Sequence, residues 1–165
     1  MKKFILFSFS IIVFLFNAQA QLETNLGLRI GGNNELSYQI GFSDGERIDL
    51  NAGLGFDKQK DSAFTTSFSL SSHYLYAYNF TGAWFVYGGL GAGLEVLDIS
   101  SLKAQINQFS NIVEGKVLLL VGIEHQFDSP ISLFFDYRPE LIVRFQNKAL
   151  FQWYGASIGL RFRFE

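Results

Sequence analysis

The sequence predicts an all-β chain, an eight-stranded antiparallel up-and-down transmembrane β-barrel. Three observations carry that reading. Segment after segment alternates apolar residues with small or charged ones, at the two-residue period of a strand. No Asp, Glu, Lys or Arg of any predicted strand falls on the apolar phase. The phase that holds the charges also holds most of the glycine and serine, which suits a crowded interior better than a solvated surface.

The 165-residue chain opens on Met1-Lys2-Lys3, a short basic start. Phe4 to Phe16 is a run of 13 residues, apolar except for Ser8 and Ser10. Asn17-Ala18-Gln19-Ala20 then supplies small residues in an A-x-A arrangement. Residues 1–20 are therefore expected to be a cleaved signal peptide, leaving 21–165 as one barrel domain. The apolar run falls short of the ~20 residues a spanning helix needs. Without Lys2 and Lys3 the 13 basic residues become 11 against 15 acidic ones, a net charge of −4. That balance gives no basic footprint for nucleic acid. With no cysteine, the exported protein has no disulfides and no thiol for a lipid anchor.

The strands follow in order. Leu22 to Gly31 places Leu26, Leu28 and Ile30 opposite Glu23, Asn25, Gly27 and Arg29. Gly31-Gly32-Asn33-Asn34 is a turn by composition. Glu35 to Ser43 sets Leu36, Tyr38, Ile40 and Phe42 against Ser37, Gln39 and Gly41, and Asp44-Gly45 signals a tight hairpin. Arg47 to Asp57 alternates Ile48, Leu50, Ala52, Leu54 and Phe56 with Asp49, Asn51, Gly53 and Gly55. A polar loop at Lys58 to Ser62 leads into the long fourth strand, Ala63 to Tyr78. The fifth strand, Ala83 to Leu97, opposes Trp84, Val86, Leu90 and Leu94 to Gly89, Gly91, Gly93 and Glu95. Asp98 to Asn111 is the longest loop, with Ile99, Leu102, Ile106 and Phe109 at near-helical spacing. The sixth strand spans Ile112 to Phe127. Its alternation blurs around Lys116 to Val121, where a bulge is expected. Asp128-Ser129-Pro130 turns the chain into the seventh strand, Ile131 to Arg138. Pro139 to Leu150 is expected to be the last loop. The eighth strand ends the chain, with Ile158, Leu160, Phe162 and Phe164 opposite Ser157, Gly159, Arg161 and Arg163.

Such a sheet fits a soluble barrel or a barrel in lipid. A soluble barrel would turn the charged phase to water and enrich it in Lys and Glu. Here that phase carries Gly27, Gly41, Gly53, Gly55, Gly89, Gly91, Gly93, Gly122 and Gly159 with Ser67, Ser69 and Ser71, which favours lipid outside. Aromatic placement agrees. Tyr74, Tyr76, Tyr78, Trp84, Phe162 and Phe164 fall near one rim, and Phe56, Phe64 and Tyr154 near the other. Eight strands put both termini on one side with the short links. That side is expected to be the periplasm, with the long links outside.

The chain resembles the small eight-stranded outer-membrane barrels of Gram-negative bacteria, of the OmpX and OmpA-transmembrane kind, and looks closest to the Bacteroidetes versions. The likeness rests on Gly122-Ile123-Glu124-His125-Gln126-Phe127, on Pro130 to Pro139, and on Gly159-Leu160-Arg161-Phe162-Arg163-Phe164. It implies residence in the cell outer membrane among lipid and lipopolysaccharide, insertion by the outer-membrane assembly machinery, and a monomer. It implies no catalytic residue, cofactor or metal. Members usually end on an aromatic residue, which serves as an insertion signal; here Glu165 follows Phe164 and displaces it by one.

Two barrel enzymes of this size class modify lipid A, a deacylase and an acyltransferase. Both would need Ser and His together near a rim. His73 shares the inward phase with Ser69 and Ser71, and Glu95 could orient it, but neither family's local motif is present. His125 reads as an interfacial residue. Two histidines without convergent spacing do not make a metal site. The remaining candidate is a structural polar network in the lumen: Glu95, Glu124, Asp136, Arg138 and Arg161. Glu124 and Asp136 lie diagonally across two strands, and Arg138 and Arg161 are the expected partners. Charges in so narrow a barrel must pair. They can be read as a plug or as a proton or ion path, and the crowding favours the plug. The expected function is thus a non-enzymatic outer-membrane barrel acting in envelope integrity or through its loops.

Overall fold

Alternating apolar and polar residues close the chain into a ring of antiparallel strands. The computed structural model describes residues 23–58, 64–97, 113–144, 148–153 and 155–164. Its strand segments are β1 (Thr24–Ile30), β2 (Asn34–Gly41), β3 (Glu46–Lys58), β4 (Phe64–Thr81), β5 (Trp84–Val96), β6 (Val113–Gln126), β7 (Ile131–Tyr137), β8 (Glu140–Arg144), β9 (Lys148–Gln152) and β10 (Ala156–Phe164). β1 to β6 pair in sequence, β7 and β8 both pair with β6, β8 pairs with β9, β7 pairs with β10, and β1 pairs with β10 to close the ring. The ten segments make eight staves. The register of β6 runs unbroken from Gln126↔Ser132 on β7 to Glu114↔Arg144 on β8, so these two are one strand. Pro139 interrupts it because proline has no N–H to give the ladder, although its carbonyl still accepts from Leu119 N at 3.1 Å.

The expected loop from Pro139 to Leu150 is therefore corrected. Its residues continue the seventh and eighth strands as the β8–β9 hairpin. Between β9 and β10 one extra residue is inserted. Tyr137 faces Ala156 and Glu140 faces Gln152, three steps on one strand against four on the other. This bulge at Trp153 to Gly155 shifts the outward phase from even to odd numbers, so a single alternation across the segment cannot be followed by eye. Arg138 N donates to Gly155 O at 3.0 Å across the bulge. The bulge expected near Lys116 to Val121 is absent: β6 keeps one register with β5 throughout. Leu118 and Leu120 point inward and are buried, which is what blurred the pattern. A second irregularity falls between Asn79 and Thr81, where β4 extends past Tyr78. The tight turn there has Gly82 at φ 51°, with Asn79 donating to its carbonyl at 2.8 Å.

Burial follows the predicted phases. Leu28, Ile30, Leu90, Ile158 and Leu160 are each more than half exposed on the outer face, while Arg29 and Arg161, their neighbours in sequence, are 1% exposed in the lumen. Charge on the outward phase occurs at strand ends. Glu46 sits at the terminal end, accepting from Tyr74 Oη at 3.0 Å. β3 outruns the expected strand by one residue, Lys58, whose register partner is Phe64. The expected signal peptide, the expected loop from Lys58 to Ser62 apart from Lys58, the loop expected from Asp98 to Asn111, and Tyr154 lie outside the described residues.

Candidate functional site: the charged lumen

The lumen has two walls. β4, β5 and β6 contribute Leu75, Ala77, Tyr87 and Leu120 as an apolar cluster, with Leu118 and Phe134 beside it, all buried. β1, β2, β3, β7 and β10, with Glu124 of β6 and Arg138 just after β7, contribute the charges. Glycines make the room. A Cβ at Gly159 would strike the Phe134 ring, one at Gly122 the Tyr87 ring, and one at Gly91 the His73 ring.

Arg29 is the hub of the charged wall. Its Nη1 lies 2.9 Å from Glu35, and its Nη2 3.1 Å from Asp49 and 3.0 Å from Asp136. Glu35 also takes both Nη atoms of Arg138, at 2.8 and 3.1 Å. Toward the terminal end, Glu124 accepts from Arg47 and Arg161, each at 3.1 Å. Arg161 Nη2 approaches Asp49 at 3.8 Å and links the two groups. The eight charged groups form one connected chain. Neutral donors complete the carboxylates: Ser37 Oγ to Asp49 and Ser132 Oγ to Glu124, both at 2.6 Å, and Ser157 Oγ to Asp136. Arg161 has Nε and Nη2 without hydrogen-bond acceptors. Its guanidinium instead stacks 3.8 Å over the Phe134 ring and 5.5 Å from Tyr87, so aromatic faces meet the cation where carboxylates do not.

The residues expected in the network fall into two places. Glu124, Arg161 and Asp136 belong to the central chain. Arg138 belongs to it as well, but its carboxylate is Glu35, not Asp136 or Glu124. Asp136 points along β7 to Arg29 instead. Glu95 stands apart near the loop end, where Lys116 Nζ bridges it to Glu140 at 2.5 and 2.8 Å and Ser67 Oγ donates to it at 2.6 Å. Sequence reasoning passed over Arg29 as the centre and Glu35 as a partner. Arg29 and Asp136 are 107 residues apart, and the β1–β10 closure is what brings them together.

The histidines do not gather catalytic partners. His73 is 1% exposed, its Nδ1 lies 3.2 Å from Asn51 Nδ2, and Nε2 has no hydrogen-bond partner. Glu95, the expected orienting acid, is held by Lys116 and Ser67. His125 sits on the outer face between Trp84 and Phe127, ring centroids 4.5 and 4.7 Å away. Among the described residues no group of His, Asp and Glu could hold a metal ion. An open depression of about 660 Å³ occurs on the outer face over Ala52, Ser72 and Ala92, away from the charged network.

A closed up-and-down barrel of eight antiparallel staves, apolar outside and charged inside, has the architecture of outer-membrane barrels. The crystal structure of Neisserial surface protein A is similar over 87% of this chain and 94% of that one, with a TM-score of 0.57 and 13% sequence identity. At that identity the likeness shows the fold. No protein-family model matches the chain, and no curated protein does.

Proposed function

We propose that this chain is a non-enzymatic outer-membrane barrel protein, whose role lies in envelope integrity or in contacts made at its loop end. The observation that carries the reading is the inverted surface. Large apolar side chains cover the outer face, while Arg29, Asp49, Glu124, Asp136 and Arg161 are 0–1% exposed inside. Such a surface is stable in lipid and would aggregate in water. A similar solved structure is that of a protein named as a surface protein, which supports the same location. On this reading residues 1–20 direct export across the inner membrane, and the assembly machinery inserts a monomer among lipid and lipopolysaccharide. The short turns at Asp44-Gly45, Gly82 and Asp128 to Pro130 face the periplasm. The alternative, a lipid A-modifying enzyme, is disfavoured by the burial of His73 against Asn51. Cell fractionation is expected to recover the mature chain in the outer membrane, and lipid A from a deletion strain is expected to keep its acylation. A soluble periplasmic species would sink the location, and altered acyl chains would bring the enzyme forward.

A further inference from the structure

One histidine in the lumen is held in a single chemical form. Asn51 of β3 stands between Arg29 of β1 and His73 of β4, and all three are buried. Arg29 Nη1 donates to Asn51 Oδ1 at 2.5 Å. A guanidinium has donors and no acceptor, so the amide atom facing it is the oxygen. The amide nitrogen is thereby turned toward the imidazole, 3.2 Å from His73 Nδ1. An amide NH2 group only donates, so Nδ1 must offer its lone pair. The ring is therefore neutral, with its hydrogen on Nε2, and Nε2 has no hydrogen-bond partner.

The surroundings hold nothing in reserve for a second proton. The charged groups around the ring are Asp49 of β3, which is its register partner, Arg29 of β1, Glu35 of β2 and Arg138 just after β7. Arg161 of β10 adds a cation 3.8 Å from Asp49. Both carboxylates are already committed, Asp49 to Arg29 and Ser37, and Glu35 to Arg29 and Arg138. On the other side β5 contributes Gly91, in register with His73, and β6 contributes Leu118, in register with Gly91; neither carries charge. A Cβ at Gly91 would lie 2.4 Å from His73 Cδ2, so the ring already fills the space beside that strand.

A proton on Nδ1 would set N–H against NH2 across the contact with Asn51. Turning the amide over would give the ring an acceptor, but it would set the NH2 group against Arg29. Either way one cation loses Asn51, and a buried donor left without an acceptor costs free energy. The loss reaches the residue that ties β1 to β2, β3 and β7 through Glu35, Asp49 and Asp136.

We propose that Arg29, Asn51 and His73 form an acid-sensitive latch in the lumen: the neutral ring closes it, and a proton on Nδ1 releases Asn51 and loosens the Arg29 hub. Imidazole is the side chain whose ordinary titration falls between about pH 5 and pH 8, so the latch reads acidification of the surroundings without a ligand. It gives the barrel a condition under which its internal bracing weakens.

The test uses the full barrel refolded in phospholipid vesicles and unfolded by urea at about pH 7.5 and about pH 5, on either side of the imidazole range, beside His73→Phe. In the unfolded chain a histidine takes up its proton at about pH 6.5. A fold that accepts only the neutral ring keeps its full stability above that pH and loses it as the pH falls, by up to about thirtyfold in the folding equilibrium constant at about pH 5. Wild type is expected to lose about tenfold or more beyond His73→Phe, which shares every other titrating group. Asn51→Asp sets an acceptor against Nδ1 and keeps one for Arg29, so its acid loss is expected to fall to that of His73→Phe. Should either variant fail to fold, nitrogen NMR of labelled histidine in the wild type decides alone, with His125→Gln used for assignment. At about pH 7.5 the His73 ring is expected to carry its single hydrogen on Nε2. A hydrogen on Nδ1, equal acid loss in wild type and His73→Phe, or undiminished acid loss in Asn51→Asp overturns the proposal.

Discussion

Replacing Arg138 tests the wiring of the lumen. Arg138 is 5% exposed and makes a two-pronged contact with Glu35 at 2.8 and 3.1 Å. Breaking a buried pair by removing one partner costs about 3–5 kcal/mol, because the other charge is left behind. Glu35 keeps Arg29 at 2.9 Å, so Arg138→Met is expected near the lower end, about 3 kcal/mol. The informative measurement is the rescue. Directly touching residues show coupling energies of about 0.5–3 kcal/mol, and unconnected ones stay within about 0.5 kcal/mol of additive. Glu35→Gln should therefore recover part of the Arg138→Met loss. Asp136→Asn should not, although it lies two residues away on the same face, because Asp136 is committed to Arg29 and Ser157. Urea unfolding in phospholipid vesicles, followed by tryptophan fluorescence, gives all four corners of each cycle. Rescue by Asp136→Asn and none by Glu35→Gln would refute the wiring.

Three further outcomes follow from the same geometry. Leu90→Arg, at the middle residue of β5 and 62% exposed, should cost about 2–4 kcal/mol in the same vesicles, the midplane figure for a lipid-facing charge; full tolerance would place β5 the other way round. Phe134→Ala removes a 1% exposed ring lying over Gly159 and under Arg161, with an expected loss of about 3–5 kcal/mol in urea titration. Planar-bilayer recordings of the wild type should show no steady conductance, and a stable open channel would revive the pore.

The staves and their inward faces were legible because period-two alternation reports directly on which side of a sheet a residue lies. Arg29, Asp49 and Arg161 could be placed inside from parity alone. Parity does not say which inward residue meets which. That depends on the stagger with which the ring closes, and Arg138 was assigned to near neighbours in sequence when its partner sits on β2. Parity also fails wherever one residue is inserted. The bulge at Trp153 to Gly155 exchanges the faces, so the apolar residues of β9 looked like an unordered loop. Pro139 reinforced that error by looking like a strand terminator, when it occupies a gap between two segments in one register. Parity places Gly53 on the inward phase. A Cβ there would come within 2.6 Å of Ser69 Oγ and 2.8 Å of Glu35 Cγ, so an inward glycine is not a neutral site.

The apolar residues that weakened the alternation bear on function. Leu75, Leu118, Leu120 and Phe134 fill half the lumen, and the charges occupy the other half with their carboxylates shared among arginines. A conducting path needs groups that can exchange partners at low cost. Arg29 would have to leave three carboxylates at once, and Arg161 would have to leave both Glu124 and the Phe134 ring. Removing any one cation leaves a buried carboxylate less well compensated, and the apolar wall offers no polar alternative. The interior is therefore suited to bracing the staves against one another.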